Sequence, residues 1–130
     1  MEKRVVTAKT ILYVYGTLRT GEKDNLSVTK GMLFDVGSFP ALLLSGPDDK
    51  LTDVILERIE TNRPLTDYDQ YEGYYPSHPE HSLYIRREFL DGWIYEFNNP
   101  CDNLLQIPSG DWLKHCEQHN KGRLFNRLSG

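Results

Sequence analysis

Hydrophobic positions fall in short, closely spaced runs broken by turn residues. The first, Thr10 to Tyr15, strings Ile11, Leu12, Tyr13, Val14 and Tyr15 together and predicts a fully buried strand that stops at Gly16. Gly31 to Gly37 and Phe39 to Ser45 predict two more strands around a Gly-Ser turn, and "GPDD" from Gly46 is a turn signal. Leu51 to Ile59 alternates imperfectly, with Val54, Leu56 and Arg58 on one face. Leu83 to Phe89 and Gly92 to Phe97 read as a hairpin about Leu90-Asp91-Gly92, with Asp-Gly expected to supply the positive φ of a tight turn. One mid-chain helix is predicted, Pro64 to Glu72, opened by its proline and stopped by Gly73. The tail from Asp111 is a candidate for a second, short helix. About six short strands with one or two helices predict an α+β chain built on a curled or closed, mainly antiparallel sheet.

The helix "PLTDYDQYEGYY" carries the most informative polar residue. Counting from Leu65 at about 100° per residue, Tyr68 falls near 300°, Asp69 near 40° and Glu72 near 340°. Glu72 therefore shares the face of Leu65 and Tyr68. It sits in the last turn, at the negative end of the helix dipole, with tyrosines at 71, 74 and 75 around it. Each factor disfavours the charged carboxylate, which suits a group that takes and later returns a proton. The alternatives are pairing with Arg86 or Arg87, or fraying into water.

Composition narrows the classes. The 130 residues fit one domain; eight tyrosines and moderate apolar content are globular, and a net charge of −4 argues against a nucleic-acid partner. No run is long enough for a membrane span. The opening "MEKRVVTAKT" has no apolar stretch after its charges, so it does not read as a secretory signal. The expectation is a cytoplasmic protein with Cys101 and Cys116 reduced.

Two stretches together carry a family resemblance. "YVYGTLRTG" followed by "LTDYDQYEGYYP" resembles the γ-glutamyl cyclotransferase superfamily, also called AIG2-like, and "KGMLFDVGSFPALLL", "LYIRREF", "DGWIYEF" and "IPSGDW" extend the likeness over most of the chain. The resemblance implies a single domain over residues 1–130, a small mixed β-barrel flanked by helices. It implies a small-molecule γ-glutamyl substrate whose α-amine displaces its own γ-amide, releasing 5-oxoproline and an amine or amino acid. No cofactor and no metal are implied. By position, Tyr15, Gly16, Thr17 and Leu18 match the substrate-binding loop and Glu72 the acid/base residue, with Tyr74 and Arg86 as further candidates.

Consecutive backbone N–H groups at a strand end make an anion nest, and Gly16 and Gly21 permit close backbone approach. A substrate carboxylate is such an anion. Arg86 and Arg87 point to opposite faces of one strand; one is a candidate to hold a carboxylate or restrain Glu72, against a surface ion pair of small value. His115 and His119 have i, i+4 metal-ligand spacing but no third ligand, so a solvated tail helix is the better reading. His78 and His81 in "SHPEH" read as a loop over the pocket mouth. Trp93 and Tyr95 read as barrel packing. "KGRLFNRL" is too short to argue nucleic-acid binding. The rival classes are a binding module sequestering a small acidic metabolite or signalling nucleotide, and an interaction protein with an idle pocket. Glu72 favours the enzyme, because a pure anion binder gains nothing from a carboxylate in its pocket. Oligomeric state and leaving group stay open.

Overall fold

An unbroken apolar strand needs cover on both faces and partners on both edges, and β1 (Thr10–Val14) has them. The computed structural model describes residues 9–119. The other strands are β2 (Leu26–Asp35), β3 (Pro40–Leu43), β4 (Thr52–Thr61), β5 (Tyr84–Phe89), β6 (Gly92–Phe97) and β7 (Leu105–Gln106); the helices are α1 (Leu65–Glu72) and α2 (Trp112–Gln118). The strands form one curled sheet in the order β3-β2-β4-β1-β6-β5, with β7 also on β2. β1 lies antiparallel to β4 and parallel to β6, where Leu12 faces Trp93; the remaining ladders are antiparallel. The sheet curls until β3 meets β6, and Leu44 N–H donates to Glu96 Oε2 at 2.8 Å across that seam. The expected α+β fold with a mixed barrel is therefore present, among the described residues, as a half-barrel of seven strands with two α-helices.

Leu12, Val14, Leu33, Leu42, Leu56 and Ile94 form the fully buried centre. No helix among the described residues is long and apolar enough to cross a membrane. The "KGRLFNRL" segment lies outside the described residues.

Three local expectations need correction. β2 starts at Leu26, five residues before the predicted Gly31: Leu26 to Lys30 ladder onto β4, with Leu26 and Val28 on the exposed face and Ser27 and Thr29 half-buried, the reverse of a strand placed by apolar burial. In the β5–β6 hairpin the positive φ belongs to Leu90 (51°) and not to the Asp-Gly pair. Gly92 is needed for a different reason: a Cβ there would lie 2.4 Å from the Ile11 carbonyl oxygen, so only glycine lets β6 pass against β1. Asp91 is occupied in a pair with Arg58 and accepts from the Tyr13 hydroxyl at 2.6 Å. The third concerns α2, which is not a solvated tail. Trp112, His115 and Cys116 are buried, Asp111 caps the helix by accepting from Lys114 N–H, and His115 Nε2 lies 2.8 Å from Asp35 Oδ2.

Candidate active site

The chain leaves α1 by a tight local device. Gly73 adopts φ 70°, Tyr74 N–H donates to Asp69 O at 2.8 Å and Gly73 N–H to Gln70 O at 3.3 Å, the double closure of a Schellman end. This ending holds the last turn of α1 against the barrel, and Glu72 is 0 % exposed. Fraying into water is thus excluded. The inward face is centred on Asp69 and Glu72, with Leu65 and Tyr68 half-buried at its margins.

Three buried phenols share the interior with Glu72: Tyr15 at the end of β1, Tyr84 on β5 and Tyr95 on β6. Burial first, then the Tyr84 group, then the Glu72 charge push the Tyr15 hydroxyl well up. Burial and then Glu72 do the same to Tyr84. Tyr95 is raised by burial, by its hydrogen bond and proximity to Asp69, and then by Glu72. The Tyr15 hydroxyl donates to the Tyr95 carbonyl, and the Tyr84 hydroxyl donates to Pro40 O at 2.7 Å. The structure thus brings Glu72 and Tyr15 together, 57 positions apart in the chain.

Asp69 is engaged on both oxygens. Oδ1 accepts from the Tyr95 hydroxyl at 2.7 Å and Oδ2 pairs with Arg86 Nη1. The Arg86 guanidinium lies over the rings of Trp93 (4.7 Å) and Tyr74 (5.4 Å). Arg86 and Tyr74 therefore belong to one cluster, in which the arginine meets Asp69. Trp93 serves as a platform for a cation as well as packing. Arg87 points outward and pairs with Glu96 at 3.0 Å.

The loop after β1 divides in two. Gly16 to Arg19 form a turn, with Arg19 N–H donating to Gly16 O at 3.0 Å. The second half is committed to Glu57 of β4, which the sequence reading missed. Its Oε1 accepts from Thr20 N–H (2.7 Å) and Thr20 Oγ1 (2.9 Å), its Oε2 from Arg19 Nε (2.8 Å) and Gly21 N–H (3.0 Å). Arg19 Nη1 also donates to Asp111 Oδ1 at 2.9 Å. The nest at Thr20 and Gly21 thus holds an anion, and the anion is the protein's own. Burial pushes the Glu57 carboxyl up, but those hydrogen bonds outweigh it and leave it below its ordinary value.

Cavities border α1 on more than one side. One of about 330 Å³ is lined by Leu18, Arg63, Asp67, Tyr68 and Tyr71. Another of about 310 Å³ reaches Glu72 and Gly73 and includes His81, so the "SHPEH" turn does border the region. A cavity of about 280 Å³ walled by Met32, Phe34, Leu43 and Cys101 shares no residue with this site. Among the described residues, no group of three or more His, Cys, Asp and Glu is placed to hold a metal ion.

Comparison with known proteins follows the same outline. Residues 12–114 match the family described as γ-glutamyl cyclotransferase, AIG2-like. Among solved structures the chain is similar to YkqA from Bacillus subtilis, with 24% identity and a TM-score of 0.59 over 87% of this chain and 43% of that one. It thus spans less than half the length of YkqA. It is also similar to the uncharacterized protein PH0828 from Pyrococcus horikoshii, with 15% identity and a TM-score of 0.55 over 85% of this chain and 96% of that one. At these identities the likeness is one of fold. No curated protein matches the chain.

Proposed function

The chain belongs to the AIG2-like γ-glutamyl cyclotransferase family, and on that footing we propose that it cleaves a γ-glutamyl amide by intramolecular displacement. The observation that supports this reading is a fully buried carboxylate, Glu72, within electrostatic reach of Tyr15, Tyr84 and Tyr95, with Tyr15 the first residue of the Tyr15-Gly16-Thr17-Leu18 segment. In this reading the first half of the loop receives the substrate's α-carboxylate, since the second half is filled by Glu57. Glu72 takes a proton from the α-ammonium. The freed nitrogen attacks the γ-carbonyl carbon, forming the ring bond, and the carbonyl oxygen takes up negative charge near the backbone N–H groups of the turn. Collapse breaks the amide C–N bond as Glu72 returns its proton to the departing nitrogen; Glu72 then accepts the second proton, which the ring nitrogen sheds as it becomes the lactam N–H, and passes it to the freed amine, which leaves as an ammonium. The products are 5-oxoproline and a free amine or amino acid. No water is consumed. Much of the rate comes from holding the amine beside the carbonyl, because nucleophile and electrophile belong to one molecule.

The test is Glu72→Gln against a panel of γ-glutamyl amides, read as 5-oxoproline released. General acid–base catalysis predicts a loss of about 10²-fold or more in kcat, with the melting temperature nearly unchanged. Turnover within a few fold of wild type would remove Glu72 from the mechanism. An inactive panel with measurable 5-oxoproline binding would make the protein a binding module.

A further inference from the structure

We infer that Asp69 is a positioning residue that takes the Arg86 guanidinium to itself and so keeps that cation from holding Glu72 in its ionised form. The inference rests on the reading of Glu72 as the proton acceptor. A base must bind its proton appreciably, and a guanidinium acting on it unopposed would weaken it. The cluster is arranged to prevent this. Asp69 lies one helical turn before Glu72 and is 5 % exposed. Its Oδ2 pairs with Arg86 Nη1. The remaining face of the guanidinium is covered by the rings of Trp93 and Tyr74, and the buried Arg86 Nε has no hydrogen-bond acceptor among the described residues.

Charges from three sources converge on one atom. The Tyr95 hydroxyl is raised by Asp69 and by Glu72 and lowered by Arg86, so all three lie within electrostatic reach of it. Arg86 and Tyr95 face each other across the β5–β6 ladder, which places the arginine on the strand pair that also carries Tyr84 and Tyr95. Among the described residues, the other groups about Glu72 are the neutral phenols of Tyr15, Tyr84 and Tyr95, with His81 on the cavity that Glu72 borders; Glu96 acts on Tyr15 and Cys101 on Tyr84. Among the described residues, Arg86 is therefore the permanent cation of this group, and Asp69 is its counter-ion.

The decisive measurement follows the Glu72 carboxyl carbon by NMR in protein carrying ¹³C-labelled glutamate, its resonance assigned by its loss in Glu72→Gln. Asp69→Asn leaves Arg86 unopposed and moves the Glu72 titration down by about one pH unit. Arg86→Gln moves it up by a similar amount, and Asp69→Asn/Arg86→Gln returns it to within about 0.3 unit of wild type. The acid limb of the kcat profile moves in the same directions. A purely structural Asp69 would lower stability in these variants and leave the Glu72 titration where it was; that outcome overturns the inference. Arg86→Gln keeps it falsifiable should Asp69→Asn fail to fold. Because the NMR readout needs no turnover, an active Glu72→Gln enzyme would refute the proposed mechanism separately.

Discussion

Glu57→Gln isolates the buried clamp under the substrate loop. Glutamine keeps the shape of glutamate and can leave its Oε1 facing Thr20 N–H and Thr20 Oγ1. Its amide nitrogen then confronts two donors, Arg19 Nε–H and Gly21 N–H, where Oε2 had accepted from both. Arg19 is 5 % exposed and Glu57 1 %, so water cannot take over at Arg19 Nε, whereas the exposed Gly21 can turn its N–H to solvent. Two hydrogen bonds to a charged acceptor are worth about 1.5–3 kcal/mol each, and breaking one side of a buried pair costs about 3–5 kcal/mol. Asp111 still holds the far end of Arg19, which places the expected loss near the lower figure, about 3 kcal/mol. Unfolding entropy of about 2.1 cal/mol/K per residue converts this, for 130 residues, to a fall in Tm of about 11 °C. The assay is thermal and urea unfolding from pH 7 into acid. The folded-state pKa of Glu57 lies below its ordinary value of 4.5, so its contribution is present above pH 4.5 and is lost as pH falls through the folded value. A protonated Glu57 resembles glutamine, so the gap between wild type and variant narrows over that range. Turnover falls too, because the turn presenting Gly16 to Leu18 loses its anchor at Arg19. A loss under about 0.5 kcal/mol at pH 7, or a gap that persists unchanged in acid, would refute the clamp.

Gly92→Ala forces a methyl to within 2.4 Å of the Ile11 carbonyl oxygen and 2.7 Å of Ile11 Cγ2, and is expected to lower stability by about 2 kcal/mol or more by urea titration; a loss below about 0.5 would mean that β1 and β6 part easily. Burial and then the Asp102 charge push the Cys101 thiol up to about 11, so in a Cys116→Ser background iodoacetamide at pH 8 should modify the folded protein about a hundredfold more slowly than the urea-unfolded chain. Rates within tenfold of each other would show that the thiol is neither shielded nor perturbed.

What the chain settled alone is what neighbours in sequence decide. Five consecutive apolar residues demand cover on both faces, which made β1 legible. Helical period plus the Gly73 stop placed Glu72 on an inward face, because the period and the left-handed exit depend on adjacent residues. The resemblance between the YGTL loop and the family pattern joined Tyr15 to that glutamate. Tertiary structure decided the charges. Glu57 lies on the alternate face of β4 from Val54 and Leu56, where the strand pattern reads solvent; it is buried because Arg19, Thr20 and Gly21, 36 to 38 positions away, fold over it. Helical counting put Asp69 about 40° from Leu65 but gave it no partner; Arg86, 17 positions on, and Tyr95, 26 on, supply its two. His115 and Cys116 looked solvated until α2 docked through Asp35, 80 positions earlier. A buried charge is tolerable only where its counter-ion and donors converge, and that convergence is a property of the closed half-barrel which no local periodicity encodes.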